Sequence, residues 1–224
     1  RVWAVDLIGF GYSSRVTART YSLKYFARAV REFMELQDIP RATVIGHSMG
    51  GAIALELAHD YPEIVNKLIL IAPAAYLAQI PAAINLAARV PLVPRALIGL
   101  TMTGERARMA AWRNAFGNSD RLVLEDAASR ARTARVKGTA DAMVAMIASP
   151  SASDLPSGLE RIAAPTLIIS GDKDRAVPHW LCKRLARKLP NARLVALEGA
   201  GHLPHVECPE IVNRWMLDFL NEQS

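Results

Sequence analysis

The chain has 224 residues, 51% hydrophobic and 21% charged, a balance that supplies a sizeable core and excludes intrinsic disorder. Its formal net charge of +6 is spread along the whole length, so the arginines at 106–108 and 130–135 read as solvated helix faces and no nucleic-acid partner is expected. Two cysteines, Cys182 and Cys208, form neither a disulfide framework nor a metal-ligand spacing, so reduced thiols, a cytoplasmic setting and no metal or cofactor are expected.

The chain opens at Arg1 on a strand-like run, "VWAVDL" (2–7), with no secretory leader, and the natural beginning is expected to lie upstream. Residues 22–37 have helical periodicity, and "ATVIG" (42–46) is a β-branched run. A second helical pattern at 49–60 has a broad apolar face from Ala52, Leu55 and Ala58 and ends at Tyr61-Pro62. "KLILIA" (67–72) is the next strand. This alternation predicts parallel strands joined by crossover helices.

From 72 to about 162 the alternation stops. The stretch reads as helices broken at Pro81, Pro91, Pro94, Gly104, Gly117 and Gly138, inserted between two strands of one sheet. Residues 68–88 carry no charge, and about 20 apolar residues suffice to span a bilayer. Pro73, Gln79, Pro81 and Asn85 interrupt the run, however, so a buried strand and the start of a separate helix are expected, with no transmembrane span. The strand-helix pattern resumes at "PTLIISG" (165–171), 180–188, "ARLVALEG" (192–199) and 209–221.

Between the second strand and its helix stands "VIGHSMGG" (44–51). Serine is a weak nucleophile unless a base, an orienting group and oxyanion donors surround it. A Gly-x-Ser-x-Gly turn between strand and helix lifts the Ser48 hydroxyl clear of the sheet, with Gly46 and Gly50 expected to relieve crowding. It also points the Met49 backbone N–H at a developing oxyanion. The partners follow in the order serine, acid, histidine. His47 adjoins the serine and is expected to point elsewhere, His59 ends the following helix, and His179 comes too soon after the acid cluster. His202, after the strand at 192–199 in a loop where Gly199 and Gly201 permit a sharp bend, is favoured as the base, with His205 as a rival. "LIISGDKDRAVP" offers Asp172 and Asp174 as the acid, either of which could instead be a turn residue.

Together these stretches resemble the α/β-hydrolase superfamily over most of the chain. "DLIGFGYSS" (6–14) is similar to its Asp-x-x-Gly-x-Gly-x-Ser loop, "GHSMGG" to its nucleophile elbow, "GDKDRAVP" to its acid loop and "GAGHLPHVECPE" to its histidine loop. The resemblance implies an α/β fold: a mostly parallel sheet with flanking helices, incomplete at the amino terminus, built from residues 1–72 and 161–224, with a helical cap at 73–160. It implies Ser48 as nucleophile, His202 as general base and then acid, and Asp174 as the orienting carboxylate, while Asp6 belongs to a structural loop. Serine at 48 argues against the branches that place aspartate there, the dehalogenases and epoxide hydrolases. Family members also carry upstream strands and a His-Gly oxyanion loop before the Asp-x-x-Gly loop, where this chain begins.

The implied activity is cleavage of a carboxylic ester of a small or medium apolar substrate through an acyl-enzyme on Ser48. The apolar composition of the cap fits an acyl or alkyl chain. Carbon-carbon bond hydrolases of ring-fission products use the same three residues, and some members of the fold bind small ligands without turnover.

Overall fold

Four largely apolar runs form one parallel sheet in the order β1-β2-β3-β4: β1 (Ala42–His47), β2 (Val65–Ile71), β3 (Thr166–Gly171) and β4 (Ala192–Leu197). The computed structural model describes residues 1–16, 21–76, 105–118, 132–133, 136–148 and 155–222. The expected breaks at Pro81, Pro91, Pro94 and Gly104, and most of the apolar window beyond Tyr76, lie outside them. The inner strands β2 and β3 are covered on both faces, so they read as continuous apolar runs rather than alternating ones. Leu68, Ile69, Leu70, Leu167, Ile168 and Ile169 are all fully buried, and each contributes about 2 kcal/mol by leaving water.

Two clusters of buried side chains fill the space on either side of the sheet. The larger joins α1 (Leu23–Leu36) and α2 (Met49–Asp60) to residues such as Leu68, Leu70 and Ile168. The smaller packs α8 (Pro209–Asn221), through Val212 and Phe219, onto Ile69, Leu167 and Ile169. Successive residues of β2 and β3 thus feed opposite clusters, as the two-residue period of a strand requires. Helix α1 starts where the Ser22 side chain accepts the Tyr25 N–H, and it stops at Asp38, whose φ of 51° leaves the helical region.

Strands β2 and β3 are neighbours, with Leu68 opposite Thr166 and Ile71 opposite Ile169. The chain between them includes α3 (Glu105–Ala115), α4 (Thr139–Ala148) and the short α5 (Leu155–Gly158). No described residue of this stretch is in a strand. After β3 come α6 (His179–Ala186), β4, the one-turn α7 (Pro204–Glu207) and α8. Among the described residues no helix is long and apolar enough to cross a membrane.

One expectation is corrected. Residues 2–7 are not a strand. Strands exist by pairing, and among the described residues β1 pairs with β2 and has no second neighbour. The opening run lies instead beside α1, with the Trp3 ring edge-on to Phe33 at 5.6 Å and Val2 92% exposed. The loop after it is closed by Asp6, whose carboxylate accepts the Tyr12 N–H at 2.9 Å and whose carbonyl accepts the Ser13 hydroxyl at 2.7 Å. That agrees with a structural role for Asp6.

Candidate active site

Parallel strands present their carboxyl ends at one edge of the sheet, and loops at that edge share a crevice. Ser48 follows β1, Asp174 follows β3 and His202 follows β4, so three segments far apart in sequence meet there. Cross-loop bonds hold them in register. The Ser48 N–H donates to the Ile71 carbonyl at 2.9 Å, the Ala72 N–H to Ile169 at 2.8 Å, and the Lys173 N–H to Ala200 at 2.9 Å.

Ser48 sits between β1 and α2 with φ 53° and ψ −118°, a conformation that costs a residue with a Cβ of order 1–3 kcal/mol. The turn holds because the Ser48 carbonyl accepts three N–H groups, from Gly51, Ala52 and Ala74. A Cβ on Gly46 would lie 2.3 Å from the Gly50 carbonyl oxygen, so Gly46 is sterically required. Gly50 is not, because a Cβ there would meet nothing within 4 Å. The crowding expected at Gly50 falls instead on Gly51, where a Cβ would lie 2.7 Å from Pro73. At the start of α2 the N–H groups of Met49 and Gly50 find no backbone acceptor among the described residues. They are therefore free to meet negative charge at a helix N-terminus.

The Ser48 hydroxyl donates to His202 Nε2 at 2.9 Å, and His202 Nδ1–H donates to Asp174 Oδ2, also at 2.9 Å. Asp174 Oδ1 accepts the N–H groups of Ala176 and Val177, each at 2.8 Å. Its side chain is fully shielded from solvent, and both oxygens are satisfied, as a buried carboxylate needs. The arrangement is a proton path from a hydroxyl to an imidazole whose tautomer is set from behind.

The other candidates have different partners. Asp172 Oδ1 accepts the Gly199 N–H at 2.7 Å, the turn-residue alternative. The His205 ring lies tilted against that of His47 at 4.8 Å, His59 pairs with Asp60, and His179 Nδ1 lies 3.1 Å from the Ser170 hydroxyl oxygen. Burial, with Lys183 nearby, pushes the His179 imidazole below its ordinary value. His47 does not point away as expected: its Nε2–H donates to the His202 carbonyl at 2.8 Å, and its ring packs on that of His202 at 4.8 Å. Sequence reasoning missed this support. It also missed Glu207, which is buried and whose Oε1 accepts the Gly201 N–H at 2.7 Å, next to His202. An acid five residues after the candidate base, in "HLPHVE", was the available signal. Among the described residues no group of histidine, cysteine and acidic side chains is disposed to hold a metal ion.

A family model described as the alpha/beta hydrolase fold matches residues 1–209. An uncharacterized hydrolase of Bacillus subtilis is 29% identical over 217 residues, covering 97% of this chain and 79% of its own. A 2-hydroxymuconate semialdehyde hydrolase of Pseudomonas putida is 29% identical over 229 residues, covering 99% of this chain and 77% of its own. Among solved structures, an esterase from Exiguobacterium antarcticum superposes with a TM-score of 0.78 at 22% identity, covering 97% of this chain and 78% of that one. At that identity the likeness is one of fold.

Proposed function

This chain belongs to the alpha/beta hydrolase family, and from that premise we propose that it is a serine hydrolase of carboxylic esters with Ser48 as nucleophile, His202 as base and Asp174 as orienting acid. What carries the reading is the continuous chain of hydrogen bonds from the Ser48 hydroxyl through both ring nitrogens of His202 to Asp174. Its chemistry follows from the geometry. Ser48 Oγ attacks the ester carbonyl carbon while its proton passes to His202 Nε2, and the Met49 N–H receives the charge that develops on the carbonyl oxygen. The tetrahedral intermediate expels the alcohol, which takes the proton from His202 and leaves an acyl group on Ser48. Water then gives its proton to His202 and attacks the acyl carbon. Collapse of the second intermediate returns that proton to Ser48 Oγ and releases the acid. Asp174 keeps a proton on Nδ1 throughout, so that Nε2 is the basic nitrogen.

We read residues 73–160 as a cap over this edge of the sheet, with α3 and α4 among its helices, and the substrate as a small or medium apolar molecule. Treatment with a fluorophosphonate followed by peptide mass analysis tests the nucleophile: an adduct on Ser48 is expected. A folded sample that remains unlabelled and inactive would favour a small-ligand-binding protein instead. A series of p-nitrophenyl esters tests the pocket, and equal rates on short, long and charged acyl chains would overturn its apolar character.

A second reading is hydrolysis of a carbon-carbon bond in a ring-fission product. It is favoured by the relative named as a 2-hydroxymuconate semialdehyde hydrolase, which aligns with 99% of the chain. The two are separated by offering a 2-hydroxy-6-oxo-dienoate beside the esters and comparing kcat/KM.

A further inference from the structure

We propose that Glu207 is a positioning residue that clamps the His202 loop to the end of α3, so that the placing of His202 depends on α3 being docked. The inference rests on His202 being the base, and it adds a coupling between that base and the chain inserted between β2 and β3.

Two segments about 90 residues apart interlock here. Glu207 Oε1 accepts the Gly201 N–H at 2.7 Å, while Oε2 accepts the Gly117 N–H at 2.9 Å and the Asn118 N–H at 3.3 Å. One buried carboxylate therefore holds amides from both sides of the contact. The His202 N–H itself donates to the Ala115 carbonyl at 2.7 Å, filling one of the acceptors that a helix leaves open in its last turn. The backbones touch. A Cβ on Gly201 would lie 2.4 Å from both the Ala115 oxygen and the Gly117 nitrogen, and one on Gly117 would lie 2.3 Å from the Gly199 oxygen.

The contact acts directly on the residue that bears the imidazole. Undocking α3 would strip the His202 backbone of its N–H acceptor and leave the Glu207 carboxylate buried with one amide in place of three. Hydrogen bonds to a charged group are individually stronger than neutral ones, so the clamp and the His202 placement should give way together. Because the base must sit within about 3 Å of the serine oxygen, a displacement of about 1 Å is enough to cost on the order of 100-fold in rate.

The test combines hydrogen exchange with kinetics on the full chain, for the parent, Glu207→Gln and Gly117→Ala. Glutamine presents an NH2 where one of the oxygens met an N–H, and alanine at 117 pushes the same contact apart from the other side without touching the carboxylate. Both are expected to speed exchange at 117–118 and at 201–202 together, by about tenfold or more, with the β2 and β3 amides unchanged. In both, kcat on the best ester is expected to fall on the order of 10- to 100-fold with KM close to the parent's. Should Glu207→Gln fail to fold, Gly117→Ala still decides. The proposal is overturned if either folded variant loosens 117–118 while 201–202 and kcat keep the parent's values, or if KM rises and kcat does not fall. Ser48→Ala keeps failure of the proposed function apart from failure of the clamp: persistent ester turnover in that variant removes Ser48 as nucleophile, while the exchange data still judge the clamp.

Discussion

Ser48 Oγ and His202 Nε2 stand 2.9 Å apart although 154 positions separate them in sequence, and Ser48 reaches that distance only by holding φ at 53°. Function and stability are therefore opposed at one residue. Ser48→Gly removes both the hydroxyl and the Cβ that makes this conformation costly. It should abolish ester hydrolysis and yet raise stability in denaturant by about 1 kcal/mol, the relieved strain less the added freedom of glycine in the unfolded chain. Ser48→Ala should be equally inactive and gain nothing. An unchanged or lowered denaturation midpoint for the glycine variant would show that the turn is unstrained.

The two aspartates after β3 should separate cleanly. Asp174→Asn keeps an oxygen for the Ala176 and Val177 N–H groups but turns its NH2 toward His202 Nδ1. That forces the proton onto Nε2, where it blocks acceptance from Ser48. A loss on the order of 10³- to 10⁴-fold in kcat is expected with the fold intact. Asp172→Asn retains the bond to the Gly199 N–H and should stay within a few-fold of the parent. Steady-state rates on one ester decide, and equal losses in the two variants would contradict the assignment.

Much of the fold is legible in the sequence. The strands β1 to β4 fall where the short apolar runs do, most continuously in β2 and β3, which are covered on both faces, while the edge strands β1 and β4 keep exposed positions such as Ile45 and Arg193; α8 has the bounds 209–221 that its flanking proline and apolar period give. Ser48 and His202 stand out by local patterns, a sharp turn between strand and helix and a loop after a strand in which two glycines precede the histidine, whereas the residues after β3 leave Asp172 and Asp174 open and only the family resemblance singles out Asp174. What could not be read was anything fixed by long-range approach. That Gly51 rather than Gly50 is confined depends on Pro73, and that His47 faces inward depends on a carbonyl 155 residues away. The run at 2–7 has the composition of a strand and lacks a neighbour to pair with, which no local pattern discloses.

Lys67 illustrates the same point and carries a stability prediction. It lies in the middle of β2, only 4% exposed, where an unpaired ammonium would be costly. Its Nζ donates to the carbonyls of Phe219, Leu220 and Glu222 at 3.0, 3.2 and 2.5 Å, closing the carboxyl end of α8 as a cation there should. Lys67→Met has a similar volume and no donor. It should cost about 2 kcal/mol and free the end of α8, seen as lower protection of the last helical amides in hydrogen exchange. Full protection there would mean that the helix end does not depend on the lysine.

Cys182 makes the fold sensitive to alkali. The side chain is 1% exposed, and burial pushes its thiol up to about 11, with Asp174 opposing ionisation and a hydrogen bond to Ser170 working the other way. The folded protein therefore keeps a proton that the unfolded chain gives up near the ordinary value of 9.0. The contribution to stability is full below that pH and is lost as the pH rises toward 11, amounting to about 2 to 3 kcal/mol. Denaturant midpoints should decline from pH 9 upward in the parent and decline less in Cys182→Ala, while other alkaline titrations affect both alike. Since the thiolate is the nucleophile, iodoacetamide at about pH 8 should modify half-buried Cys208 and spare Cys182 until denaturant is added. Rapid alkylation of Cys182 in the native protein would mean that the thiol is neither shielded nor held protonated.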